Sequence, residues 1–95
     1  MSPVWSPEAI EDLASLRDYI SQDDPAAALR VALQIIHNVE VLLAANPEMG
    51  RSGRVPGARE LVVPGTPFIV PYRVQGNTIQ ILRVFHEARR WPGRL

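Results

Sequence analysis

Apolar residues recur at helical spacing twice in the N-terminal half of the chain and in β-rich runs three times in the C-terminal half. In the first helical stretch Ile10, Leu13, Leu16 and Ile20 share one face, with Glu11, Asp12, Arg17 and Asp18 opposite. Ser6-Pro7-Glu8 supplies a start: a hydroxyl to cap free N–H groups, a proline whose missing N–H costs nothing in the first turn, and an acid beside the positive end of the dipole. The spacing predicts a helix from Pro7 to near Ser21. Gln22-Asp23-Asp24-Pro25 repeats the signal, and Ala28, Val31, Ala32, Ile35, Val39, Leu42 and Leu43 keep the rhythm until Asn46-Pro47. Two antiparallel helices follow, preceded by a short strand at Val4-Trp5.

From Pro47 to Gly57 the chain is dense in Pro, Gly and Arg, the composition of a surface loop. Arg59 to Val63, Phe68 to Val74 and Thr78 to Phe85 are β-branched and aromatic, divided by Pro64-Gly65-Thr66-Pro67 and Gly76-Asn77, and read as three antiparallel strands. A two-residue turn at Gly76-Asn77 pairs Val74 with Ile79, Tyr72 with Ile81, Val70 with Arg83 and Phe68 with Phe85. The other face then carries Ile69 with Val84, Pro71 with Leu82, Arg73 with Gln80, and His86. Two helices cover only one face of a small sheet, so this second face is expected to be partly open and to suit a partner. Pro71 has no ladder N–H to give, which points to an edge or a bulge. The whole, residues 1–95, reads as one α+β domain: short strand, helix hairpin, then a small antiparallel sheet.

Charge changes this picture more than composition does. The net charge is zero, yet residues 1–48 carry −6 and residues 49–95 carry +6, and every basic side chain is Arg. Guanidinium is a rigid donor fork for phosphate and carboxylate, so an arginine-rich sheet facing away from acidic helices suggests a recognition surface. The absence of cysteine excludes disulfides and thiolate metal sites and suits a reducing cytosol. The start of the chain lacks the pattern of a signal peptide, and no apolar run approaches about 18 residues, so neither secretion nor a membrane span is expected. There is no Gly-rich phosphate loop, nucleophile elbow or His-Glu-x-x-His, so no cofactor and no metal are expected.

Chemistry that remains possible lies in the basic half. Cleavage of RNA through its own 2′-hydroxyl needs a proton acceptor, a proton donor and cations for the charge developing on phosphate. Glu60 or His86 could move protons, with Arg54, Arg59, Arg73 and Arg83 as the cations. Trp5 and Trp91 read as caps on core edges and His37 as a surface residue of the second helix. A basic nucleic-acid-binding module without further activity is the plainest alternative use of the charge.

Several segments together resemble a known family: Ser6-Pro7-Glu8-Ala9, Asp24-Pro25-Ala26-Ala27-Ala28, Gly50-Arg51-Ser52-Gly53-Arg54, Arg59-Glu60-Leu61, Thr66-Pro67-Phe68-Ile69-Val70-Pro71-Tyr72-Arg73-Val74 and Ile81 to Pro92. These resemble the RelE/ParE superfamily of toxins from type II toxin-antitoxin modules, nearly end to end. The resemblance implies a cytoplasmic toxin in a toxin-antitoxin hetero-oligomer, neutralised by a cognate antitoxin whose C-terminal segment wraps the helices and sheet. On this chain the antitoxin surface would comprise Leu13, Leu16, Ile20, Ile69, Leu82 and Val84. RelE-like members cleave mRNA on the ribosome, whereas ParE-like members inhibit DNA gyrase. Where the nucleases resemble one another in a basic residue before the middle strand's apolar run, this chain has Phe68, and Glu87 to Leu95 follow His86 where their catalytic residue closes the chain. The ParE-like branch is therefore expected, with Arg54, Arg59, Arg73, Arg83, His86, Arg89 and Arg90 contacting the target. In the RelE-like alternative Arg59, Arg73 and Arg83 stabilise phosphate while Glu60 or His86 moves the proton.

Overall fold

The computed structural model describes residues 1–88, so Arg89, Arg90 and Trp91 lie outside the described part. The elements are β1 (Ser2–Trp5), α1 (Pro7–Ser21), α2 (Pro25–His37) continued by a π-helical segment (Asn38–Leu43), β2 (Arg51–Ser52), β3 (Arg59–Val62), β4 (Phe68–Gln75), β5 (Thr78–Ile81) and β6 (Phe85–His86). Both helices start where their caps predict. The Ala9 N–H donates to Ser6 Oγ at 3.0 Å and the Ala27 N–H to Asp24 Oδ1 at 3.0 Å, each satisfying a donor that the first turn leaves orphaned.

The helix hairpin packs Ala9, Leu16, Ile35, Val39 and Leu43 on Leu61, Val63, Phe68, Val70, Tyr72, Ile79, Ile81 and Val84, with Trp5, Leu13, Ile20 and Val31 at the margin of this core. Trp5 seals the edge as expected, its indole N–H donating to Glu40 Oε1 at 2.9 Å. One expectation is corrected here. Pro25–Leu43 forms 19 residues apolar enough, by length and composition, to cross a membrane. Its inward stripe nevertheless belongs to the core, while Leu29, Leu33 and Val41 are exposed.

The sheet order is β1-β5-β4-β3-β2, with β6 also on β4. It is mixed: β1 runs parallel to β5 and the other pairs are antiparallel. The hairpin register holds at first, Tyr72 opposite Ile81 and Val74 opposite Ile79. Past Ile81 it slips by one residue, so that Ile69 faces Phe85 and Phe68 faces His86. The expected pairs Val70–Arg83, Phe68–Phe85 and Ile69–Val84 do not form. Pro71 explains the break. The Leu82 N–H donates to the Pro71 carbonyl at 3.0 Å, but proline has no N–H to return, and Ser6 Oγ donates to the Leu82 carbonyl instead, at 2.8 Å. The central strand thus tolerates its proline next to a bulge.

The bulge inverts the parity of everything after it. Val84 turns to the helices and joins the core, while Phe85 turns outward beside Ile69. The outer face is accordingly less open than expected: Ile69, Pro71 and Phe85 are buried on it, and Val84 has left it.

Candidate functional site

The arginines fall in two places. On the outer face, cross-strand register sets Arg51 opposite Glu60 and Glu60 opposite Pro71. In the next row Arg73 faces Gln80, and Gln80 faces Val4. Glu60 is the acid among these cations and is 3% exposed. Arg51 donates to its Oε1 through Nε at 3.2 Å and Nη2 at 3.0 Å. Arg54 donates to its Oε2 through the backbone N–H at 2.8 Å and through Nε at 3.2 Å. Burial pushes the Glu60 carboxyl up, but the Arg54 N–H, the Arg51 hydrogen bond and the charges of both arginines outweigh it and hold the group below the ordinary glutamate value. The acid is inside and its cations are outside, with Arg51 and Arg54 side chains 55% and 44% exposed. Arg73 lies beside this group: a Cβ at Gly57 would stand 3.9 Å from its Nε.

The helix side holds the rest. Arg59 sits opposite Tyr72 and donates through Nη1 to the carbonyls of Gly50 at 2.9 Å and Glu48 at 3.3 Å. It closes the loop before β2. Arg83 makes a two-pronged pair with Asp12 of α1, Nε to Oδ2 at 2.7 Å and Nη2 to Oδ1 at 3.0 Å. Asp12 Oδ2 also accepts the Val84 N–H at 3.0 Å. This hydrogen bonding raises the Arg83 pKa further, against the opposing effect of burial. The Arg83 guanidinium lies 4.7 Å from the centre of the Phe85 ring. His86 is exposed, meets Phe68 edge to face at 5.5 Å, and accepts the Ala88 N–H on Nδ1 at 3.1 Å. It borders a cleft of about 620 Å³ against α1, lined also by Ser15, Leu16, Tyr19 and Val84.

The residues expected to share one phosphate therefore do not converge. Glu60 and Arg73 are on the outer face and Arg59 and His86 on the inner. Along β4, Arg59 and His86 stand against Tyr72 and Phe68, four residues or roughly 13 Å apart. No group of His, Asp and Glu able to hold a metal occurs among the described residues. Of the residues assigned to antitoxin contact, Leu16, Ile69 and Val84 are buried within the chain, Leu13 and Ile20 line the core margin, and Leu82 is half-buried. Leu16 and Val84 nevertheless line the cleft against α1. Sequence reasoning missed Arg51 and Asp12. An irregular loop separates Arg51 from the acid that anchors it, and the pattern of α1 gives Asp12 no mark that sets it apart from the solvated acids around it.

Comparison with known proteins is consistent across sequence and structure. Residues 4–91 match the family described as ParE toxin of type II toxin-antitoxin system, parDE. Y4kP of Sinorhizobium fredii is 41% identical over 88 residues, 93% of this chain and 90% of that protein. Toxin RelE2 of Caulobacter vibrioides is 38% identical over 86 residues, 90% and 94% of the two chains. A chain of the chromosomal ParDE TA system from P. aeruginosa superposes with a TM-score of 0.81 at 38% identity, covering 90% of this chain and 95% of that one.

Proposed function

The chain belongs to the ParE toxin family of type II toxin-antitoxin systems, and from that premise we propose that it acts in the cytoplasm as an inhibitor of DNA gyrase, binding through the arginines of the outer sheet face, and that a cognate antitoxin neutralises it. One observation carries the choice of gyrase over mRNA cleavage. The groups a nuclease would need are distributed over both faces of the sheet, and the best-placed acid, Glu60, is buried beneath two arginines that hold it ionised and occupied. A carboxylate so engaged is a poor proton acceptor. Arg51, Arg54 and Arg73, by contrast, form a cationic surface with Glu60 as the acid at its centre, the arrangement of a contact face.

The test pairs two assays on purified toxin. Gyrase supercoiling should fall with added toxin, recover when antitoxin is supplied, and be equally sensitive to a His86→Ala variant. Ribosomes translating mRNA should show no new ends. Codon-phased cuts with gyrase unaffected, abolished by His86→Ala, would replace this reading with that of a ribosome-dependent nuclease.

A further inference from the structure

Glu60 has a role of its own in the site. We propose that it is a positioning residue: its buried carboxylate fixes Arg51 and Arg54 as a preformed pair of guanidiniums, and engagement of the target depends on that placement. The inference rests on the reading of the outer face as the target surface. Between β2 and β3 the chain has no regular structure; among its backbone groups, Gly53 N–H donates to the Ala58 carbonyl and Ala58 N–H to that of Val55. Arginines on such a hairpin would sample many rotamers. The Glu60 carboxylate reduces that freedom for both. One oxygen takes one edge of Arg51; the other takes the backbone and side chain of Arg54, so the loop and the guanidiniums are tied by the same group.

The exposure pattern fits a contact role for the two cations. Here the anion is at 3% exposure and the cations remain about half exposed, so positive potential is directed outward. Arg51 spends Nε and Nη2 on Glu60, which leaves its Nη1 donors for a partner. Arg73 occupies the adjacent row, diagonal to Glu60 at about 7–8 Å between backbones, beside the same loop. Preorganised donors bind an anionic partner more tightly than mobile ones because less freedom is lost on contact.

The experiment titrates gyrase supercoiling with wild type, Glu60→Gln, Arg51→Gln, the double variant, and Ile35→Val, a core change that lowers stability away from the outer face, all at equal folded concentration. Glu60→Gln should lose at least about tenfold in potency and Arg51→Gln a similar amount, with the double variant scarcely worse than either, because both remove one coupled unit. Ile35→Val should keep full potency, and wild-type potency should fall with added salt. Glu60→Gln within twofold of wild type overturns the proposal, as does an equal loss in Ile35→Val. Arg51→Gln, altering an exposed side chain, keeps the test decisive if Glu60→Gln does not fold. Should the wild type leave gyrase untouched, the gyrase reading fails by itself. The same variants are then scored by growth arrest on induction, where Glu60→Gln and Arg51→Gln as toxic as wild type overturn the role of Glu60.

Discussion

Replacing Tyr72 by Phe removes one buried hydroxyl that ties a turn to the sheet. Tyr72 is fully buried. Its hydroxyl accepts the Gly50 N–H at 2.9 Å and donates to the Pro47 carbonyl at 2.8 Å, so one oxygen fastens the turn after the second helix to the centre of the sheet. Tyr72→Phe keeps the ring and creates no cavity. It leaves the buried Gly50 N–H without a partner, which costs about 1–3 kcal/mol, and the half-buried Pro47 carbonyl, which can turn to water, for about 0.5–1.5 kcal/mol. The expected loss is about 2–4 kcal/mol. In a domain this small each kcal/mol lowers Tm by about 4–8 °C, so thermal denaturation followed by circular dichroism should show a drop of roughly 10–20 °C. Amide exchange at Gly50 should quicken. High pH offers an independent reading. Burial raises the Tyr72 pKa, outweighing the Gly50 N–H and the Arg59 charge that lower it. A folded-state pKa above the unfolded one means stability present below about pH 10 and lost as pH rises through the folded value. Tyr72→Phe should lack that loss. A Tm within about 2 °C of wild type would show that Gly50 finds another acceptor and would refute the argument.

Three further outcomes follow from the geometry. The Glu60 carboxyl is lower in the folded state than unfolded, so its stabilisation is present above about pH 4.5 and is lost as pH falls through the folded value; urea titrations in that acid range should show wild type losing stability faster than Glu60→Gln, and parallel slopes would contradict it. Asp12→Asn removes the two-pronged Arg83 pair and weakens the bond from the Val84 N–H; with Arg83 a third exposed, solvent screening limits the loss to about 1–2 kcal/mol, read in chemical denaturation and smaller in high salt. Gly50→Ala would set a Cβ 2.5 Å from the Tyr72 hydroxyl and 2.6 Å from its ring. That overpacking should cost about 1–3 kcal/mol, with Tyr72→Phe failing to relieve it because the ring contact remains.

The elements legible in the sequence were those set by neighbours along the chain. Ser6-Pro7 and Asp24-Pro25 begin helices because capping is a three-residue event, and the cap bonds are present. Gly76, at φ 59°, admits the tight turn that fixes Tyr72 opposite Ile81. What sequence could not give was set by groups far apart. The slip after Ile81 depends on Ser6, 76 residues from Leu82, and on Asp12, 72 residues from Val84. No local pattern reports either contact, and alternation of apolar residues, once begun, invites extrapolation. The candidate site suffered the same way. Arg59, Arg73 and Arg83 are equivalent in a charge count, and only their partners distinguish them.

That one-residue slip also accounts for how Arg83 is used. Had the register continued unbroken, Arg83 would stand opposite Val70 on the core side, an arginine buried among apolar side chains with no acid of the sheet beside it, at a large desolvation cost. The bulge at Leu82 to Val84 substitutes Val84 into the core and leaves Arg83 at its margin, where Asp12 neutralises it. Pro71 makes the bulge cheap, because the ladder hydrogen bond it interrupts is one that proline cannot form. Arg83 thereby becomes a tie between sheet and helix. The cations facing outward, Arg51, Arg54 and Arg73, are those grouped around Glu60, on the face opposite the one where the bulge completes the core.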